Sequence, residues 1–159
     1  VVVAQDSPPL QVDVPVLRDI VPNCGSLGGI YTGLRQAHTG HIFVAACDMP
    51  FLIPEAIRYL VSLKDPVDLV MARLETGLQP VHAIYSRRCL PVIEEVLGAR
   101  QIKLQDLAAH PSLHVRLVSE QELMAIDPDG ISFLNINTPA DLDAARRIQA
   151  GMTKRFSPP

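Results

Sequence analysis

The run His41-Ile-Phe-Val-Ala-Ala-Cys-Asp-Met-Pro-Phe-Leu52 carries an apolar stretch, Ile42–Cys47, that stops abruptly at the carboxylate of Asp48. Parallel α/β sheets bind their ligands beyond the carboxyl ends of strands, where the loops gather. Mg²⁺ takes one or two carboxylates together with phosphate oxygens, so a strand-end aspartate is placed to hold that ion against a nucleotide. The plainer role for such a residue is a loop or helix-capping aspartate. A second group is Asn135 and Asn137, in Phe133-Leu-Asn-Ile-Asn-Thr-Pro139. Residues two apart on a strand share a face, so both amides can reach one ligand, although Asn also satisfies the backbone of a turn readily. A third is Pro22-Asn-Cys-Gly-Ser-Leu-Gly-Gly29, a loop whose N–H groups could cradle an anion or a base edge. It is neither a Walker A sequence nor a GxGxxG, and a tight turn for helix–sheet packing accounts for it equally well.

Other chemistries find little support. His38 and His41 flank a turn, His82 alternates with apolar residues, and His110 and His114 lie around a proline, which is not the grouping of a metal centre. No serine stands in a GxSxG context. Cys47 reads as a small buried apolar residue rather than a nucleophile.

The elements that must position these groups alternate between strand and helix. Val1–Ala4 and Val16–Val21 read as strands, and Ile30, Leu34 and Ala37 have helical spacing after the glycine-rich loop. The strand ending at Asp48 comes next, and Pro54 with Glu55 opens another helix. Val67–Leu74 and Gln79–Ser86 read as strands separated by Glu75-Thr-Gly77, a hairpin or an edge excursion, and this pair is the expected antiparallel exception in the sheet. Helices follow over Arg88–Leu97 and Lys103–Ala109, then strands over His114–Val118 and Ile131–Ile136. Thr138-Pro139-Ala-Asp141 supplies an N-cap, a proline at the first helical position and an acidic third residue. The helix that follows is expected to end at Gly151. This order predicts a three-layer α/β domain over residues 1–150 with a mostly parallel sheet, and a flexible tail over 151–159.

The chain has 159 residues, 48% of them hydrophobic, which suits one domain with a substantial aliphatic core. A net charge of −3 gives no concentrated basic face and so no reason to expect nucleic acid as a partner. No run reaches the ~20 apolar residues of a membrane-spanning helix. The three cysteines, without a CxxC, argue against a disulfide framework and for the cytoplasm. Val1 reads as a strand already under way without an initiator Met, so either the sequence covers part of a longer protein or earlier residues were removed.

Taken in order, several segments resemble one family. They are Asp19; Gly25-Ser-Leu-Gly-Gly-Ile30, similar to a Gly-Pro-Leu-Ala-Gly loop; Ala46-Cys-Asp-Met-Pro-Phe-Leu52, a metal-binding strand end; Gln79-Pro-Val-His-Ala-Ile-Tyr85, similar to a Pro-Leu-Phe-Ala-Leu-Tyr strand; and Phe133-Leu-Asn-Ile-Asn-Thr-Pro-Ala-Asp-Leu142, similar to an Asn-x-Asn-Thr-Pro-x-Asp-Leu signature. The family is the molybdenum cofactor guanylyltransferases (MobA type), of the nucleotidyltransferase superfamily with a Rossmann-like fold. The resemblance runs from Val1 to about Ile148, and Cys-Asp-Met-Pro favours the guanylyl over the cytidylyl branch.

The resemblance implies a Mg²⁺-dependent transferase that moves GMP from GTP to molybdopterin or the molybdenum cofactor, releasing pyrophosphate. By position, Asp48 would be the catalytic and metal-binding residue. Asp19, Gly25, Leu27, Gly28 and Gly29 would join it around the nucleotide, and Asn135, Asn137 and Lys103 would contact the acceptor near Gly98. The implied partners are GTP, molybdopterin or molybdenum cofactor, and cofactor-insertion proteins or molybdoenzyme chaperones. Two other readings stand beside it: a relative using CTP or a sugar phosphate, and a non-catalytic cofactor-binding remnant. The chain departs from the family in two places. Ala4 and Gln5 do not match a nucleotide-contacting Asn, and the Leu-x-Gly-Gly-x-Ser-x-Arg-Met-Gly-x-Asp-Lys phosphate loop belongs before Val1.

Overall fold

A computed structural model describes residues 1–99 and 103–156. Two short strands, β1 (Val2–Val3) and β2 (Leu17–Arg18), pair in parallel. A second sheet contains β3 (His41–Ala45), β4 (Leu69–Leu74), β5 (Gly77–Ser86) and β6 (Val115–Ser119), in the order β3-β5-β4-β6. The expected mostly parallel sheet is not what forms. In this sheet β5 runs antiparallel to both β3 and β4, and β4 with β6 is its one parallel pair among the described residues.

The local cause is the turn at Glu75–Thr76. Gly77, at φ +120°, accepts a backbone conformation that side chains disfavour, and the chain folds straight back on itself. The returning strand carries the apolar run Ala83-Ile-Tyr85, all buried, so burial drives it between β3 and β4 rather than to an edge. Pro80 cannot donate a ladder hydrogen bond, and the register slips there: Met71 faces Ala83, but Ala72 faces Gln79. The Tyr85 hydroxyl donates to the Pro80 carbonyl at 2.7 Å and ties the bulge down.

Helices cover both faces. α1 (Gly25–Gln36) and α3 (Leu90–Gly98) enclose Leu27, Ile30, Leu34, Met71, Tyr85 and Ile93 on one side. α2 (Pro54–Ser62) and α4 (Glu120–Met124) enclose Leu60, Val70, Ile84, Val118 and Leu123 on the other. The helix expected over Lys103–Ala109 is a 3₁₀ turn, Leu104–Ala109. α4 is set by a capping box, in which the Ser119 hydroxyl and the Glu122 carboxylate serve each other's backbone.

The strand expected over Ile131–Ile136 does not form. The buried Asp127 carboxylate accepts from the Ile131 amide at 3.1 Å, the Ser132 amide at 2.9 Å and the Ser132 hydroxyl at 2.6 Å. Gly130, at φ +62°, completes a 3₁₀ turn over Ile131–Phe133. Local capture of these amides takes them out of any sheet. α5 (Pro139–Phe156) then runs past the expected stop at Gly151. Residues 157–159 of the expected tail lie outside the described residues.

Candidate nucleotide and metal site

β3 delivers the chain to Asp48 through a tight turn in which the Met49 amide donates to the Ala46 carbonyl at 3.3 Å. Met49 is buried and anchors that turn. The Ile136 amide donates to the Asp48 carbonyl at 2.9 Å, although the two residues are far apart in sequence. One backbone bond therefore seats the asparagine segment against the strand-end aspartate.

Asn135 and Asn137 flank Ile136, are exposed, and make no side-chain hydrogen bond among the described residues. The neighbouring backbone is fixed by the α5 cap. The Asp141 carboxylate accepts from the Asn137 and Thr138 amides at 3.0 and 2.8 Å, and the Asp141 amide donates to the Thr138 hydroxyl at 3.2 Å. Hydrogen bonding to the Thr138 side chain, then to the backbone of Asn137 and Thr138, holds the Asp141 carboxyl below its ordinary range.

Asp48 itself is half-buried, and its Oδ1 is buried without a hydrogen-bond partner among the described residues. A buried carboxylate oxygen with no donor is costly unless something meets it. A hard cation that keeps most of its own oxygen shell fits that atom. Among the described residues no cluster of three or more His, Cys, Asp or Glu could cage a metal.

The glycine-rich segment departs from the expected loop. α1 already begins at Gly25, and the turn proper lies before it, with Asn23 at φ 63° and Gly25 at φ 53°. Gly28 and Gly29 are helical, and Leu27 is a core residue, 1% exposed, so only its backbone can face a ligand. Asp19 is 8% exposed and is engaged internally: its Oδ1 accepts from the Thr32 hydroxyl at 2.8 Å and the Val21 amide at 3.1 Å. Thr32 was invisible as a site-shaping residue, because a lone threonine on a helix carries no signal until its partner is placed. Lys103 is exposed at the start of the 3₁₀ turn, with no hydrogen bond or ion pair to Asp48, Asn135 or Asn137 among the described residues. Cys47, expected to be buried, is exposed because the strand has ended by then.

Gly28 is required by close approach. A Cβ there would lie 2.6 Å from Asp19 Oδ2 and 2.9 Å from the Val21 carbonyl. Helix propensity alone predicts that Gly28→Ala stabilises by up to about 1 kcal/mol. The crowding predicts the opposite sign, a loss of about 1–3 kcal/mol. Urea unfolding decides between them, and an unchanged or raised midpoint contradicts the packing argument.

The model of the MobA-like NTP transferase domain matches residues 1–115. A molybdenum cofactor guanylyltransferase of Desulfosudis oleivorans is 42% identical over 129 residues, covering 80% of this chain and 63% of that protein. One from Syntrophotalea carbinolica is 33% identical over 156 residues, covering 96% of this chain and 73% of that protein. The crystal structure of molybdopterin-guanine dinucleotide biosynthesis protein A from Archaeoglobus fulgidus superposes with a TM-score of 0.77 at 30% identity, covering 88% of this chain and 70% of that one. The chain spans 63% and 66% of the length of two such relatives, from Desulfosudis oleivorans and Pelotomaculum thermopropionicum. With the strand-end aspartate, the asparagine segment and these matches together, the chain belongs to the MobA-like NTP transferase family.

Proposed function

We propose that the protein containing this chain transfers GMP from GTP to the terminal phosphate of molybdopterin or the molybdenum cofactor. An acceptor phosphate oxygen forms a bond to the α-phosphorus of GTP, the bond from that phosphorus to the bridging oxygen breaks, and pyrophosphate leaves. Mg²⁺, when bound, supplies Lewis-acid charge and a template for the phosphates.

The observation that carries the proposal is the unpartnered buried Oδ1 of Asp48 beside the segment that the Ile136–Asp48 bond holds in place. Asp48 would hold the ion. The free amides of Asn135 and Asn137 would orient the acceptor, and the backbone at the start of α1, with Asp19 behind it, would shape the guanosine side. The protein's contribution is positioning and charge neutralisation, and no covalent intermediate is needed. The names of the relatives support the guanylyl branch.

Among the described residues no helix is long and apolar enough to cross a membrane. A cytoplasmic setting, with transfer of the product to cofactor-insertion proteins or molybdoenzyme chaperones, suits a GTP-consuming step. Thermal-shift titration of the full-length protein with Mg²⁺ and each of GTP, CTP and UTP tests the nucleotide. The largest shift is expected with GTP; a larger one with CTP replaces the guanylyl reading with the cytidylyl one.

A further inference from the structure

The asparagine segment is held from both sides by carboxylates, Asp141 after it and Asp127 before it. Asp127 follows α4 directly: its amide donates to the Leu123 carbonyl at 2.8 Å, and its own carbonyl accepts from the Gly130 amide at 3.0 Å. Its carboxylate takes the Ile131 and Ser132 amides and the Ser132 hydroxyl. The Phe133 and Leu134 amides then donate to the Gly130 and Ile131 carbonyls at 3.2 and 3.1 Å, and the Ile136 amide reaches the Asp48 carbonyl at 2.9 Å. From Ile131 to Thr138, each amide except that of Asn135 has a partner of this kind among the described residues.

Two features set Asp127 apart from an ordinary turn residue. It is 3% exposed, its partner Ser132 is fully buried, and it forms no ion pair among the described residues. It also sits just past the carboxyl end of α4, where the peptide dipole disfavours an anion. Burying a lone charge is costly unless hydrogen bonds meet it, and a neutral Asn or Ser oxygen closes such a turn without that cost. Three donors on one carboxylate give charge-assisted bonds and a stiff turn instead. The second feature lies downstream. Asparagine readily spends its side chain on the amides of its own turn. Here those amides are already taken, and the side chains of Asn135 and Asn137 make no hydrogen bond among the described residues.

We propose that Asp127 is a positioning residue: through Ser132 it fixes the turn that carries Asn135 and Asn137 to Asp48, and so leaves both side-chain amides free to donate to the acceptor. The identity of that ligand rests on the proposed function; the placement of the segment rests on the hydrogen bonds alone. Asp127 lies behind the turn and touches no substrate, so its effect passes entirely through the backbone of residues 131–136. A substrate-orienting group displaced by about 1 Å lowers the rate by up to about 10²-fold. A buried anion that stiffens the turn therefore serves the reaction, although it is an expensive way to make a turn.

Asp127→Asn in the full-length protein tests this, since it keeps the shape of the side chain and turns one acceptor oxygen into a donor facing other donors. The Ile136 amide is expected to exchange at least about tenfold faster than in the wild type, while the amides of β4 and β5 stay protected. In transfer assays with Mg²⁺, GTP and molybdopterin, kcat/KM for the acceptor should fall about 10–100-fold, and the apparent affinity for GTP should stay within about twofold. Ser132→Ala, which deletes only the hydroxyl bond, should move both readouts in the same direction by less, and it carries the test if Asp127→Asn does not fold. An Ile136 amide that stays protected overturns the proposal. So does an equal loss for GTP and acceptor, which marks a generally loosened fold. A wild-type protein inactive with molybdopterin counts against the proposed reaction instead, and Ile136 exchange then decides the positioning claim by itself.

Discussion

Asp48→Asn is expected to remove nucleotidyl transfer while leaving the fold as stable as before. The substitution keeps the size and planarity of the side chain and removes only its charge. Oδ1 of Asp48 has no donor among the described residues, so no hydrogen bond seen there is lost. The bond that seats the asparagine segment runs from the Ile136 amide to the backbone carbonyl of residue 48, which the variant retains. On the proposed function, what disappears is the anionic ligand that would hold Mg²⁺ at the reacting phosphates. Loss of one preorganised electrostatic contact at a transition state lowers kcat by about 10²–10³, and the loss of an ion ligand belongs at or beyond the upper end. Pyrophosphate release by the full-length protein at saturating Mg²⁺, measured beside a thermal melt, checks both halves. Turnover near the wild-type rate refutes the assignment of Asp48; a collapsed melting temperature makes it a structural residue instead.

The strand that ends before Asp48 and the helix that starts at Pro139 were legible in the sequence because their signals are local. An apolar run ending in Asp-Met-Pro announces a strand end, and Thr138-Pro139-Ala-Asp141 announces a helix start whatever lies elsewhere in the chain. The hairpin at Glu75-Thr-Gly77 was legible for the same reason. The position of β5 was not. The hairpin signal says that two strands are neighbours, but not that the second also takes β3 on its other side; that depends on which apolar surfaces meet. The predicted strand over Ile131–Ile136 failed because its apolar alternation was read without Asp127, whose carboxylate takes the amides that a sheet would need. The glycine-rich segment was read as loop because glycine favours loops. Gly28 is glycine for another reason: its helix presses on Asp19 and Val21, a contact that spacing cannot reveal.

The fold is also expected to lose stability in mild acid through one histidine. His82, on β5, is fully buried, its ring edge-on to Phe43 at 5.2 Å and tilted against Phe133 at 4.5 Å. Neither ring nitrogen has a hydrogen-bond partner among the described residues. Burial, which disfavours the charged ring, lowers its pKa from 6.5 to about 4, against smaller opposing effects from the Ser132 backbone and the Asp127 charge. Above pH 6.5 the ring is neutral whether the chain is folded or unfolded, and pH has no leverage through it. Between 6.5 and 4 the unfolded chain binds a proton that the folded one refuses, so stability falls as pH falls, and the loss is complete below about 4. At 1.36 kcal/mol per pKa unit the whole loss is about 3 kcal/mol. His82→Phe keeps the aromatic contacts and deletes the titration. Urea unfolding of both proteins at several pH values from 7.5 to 4 should therefore show curves that diverge below 6.5, with the variant the more stable in acid. The difference between them cancels the remaining histidines and the carboxylates. Parallel curves would mean that the buried ring takes up its proton in the folded state without cost, and that the packing of Phe43 and Phe133 does not exclude the charge.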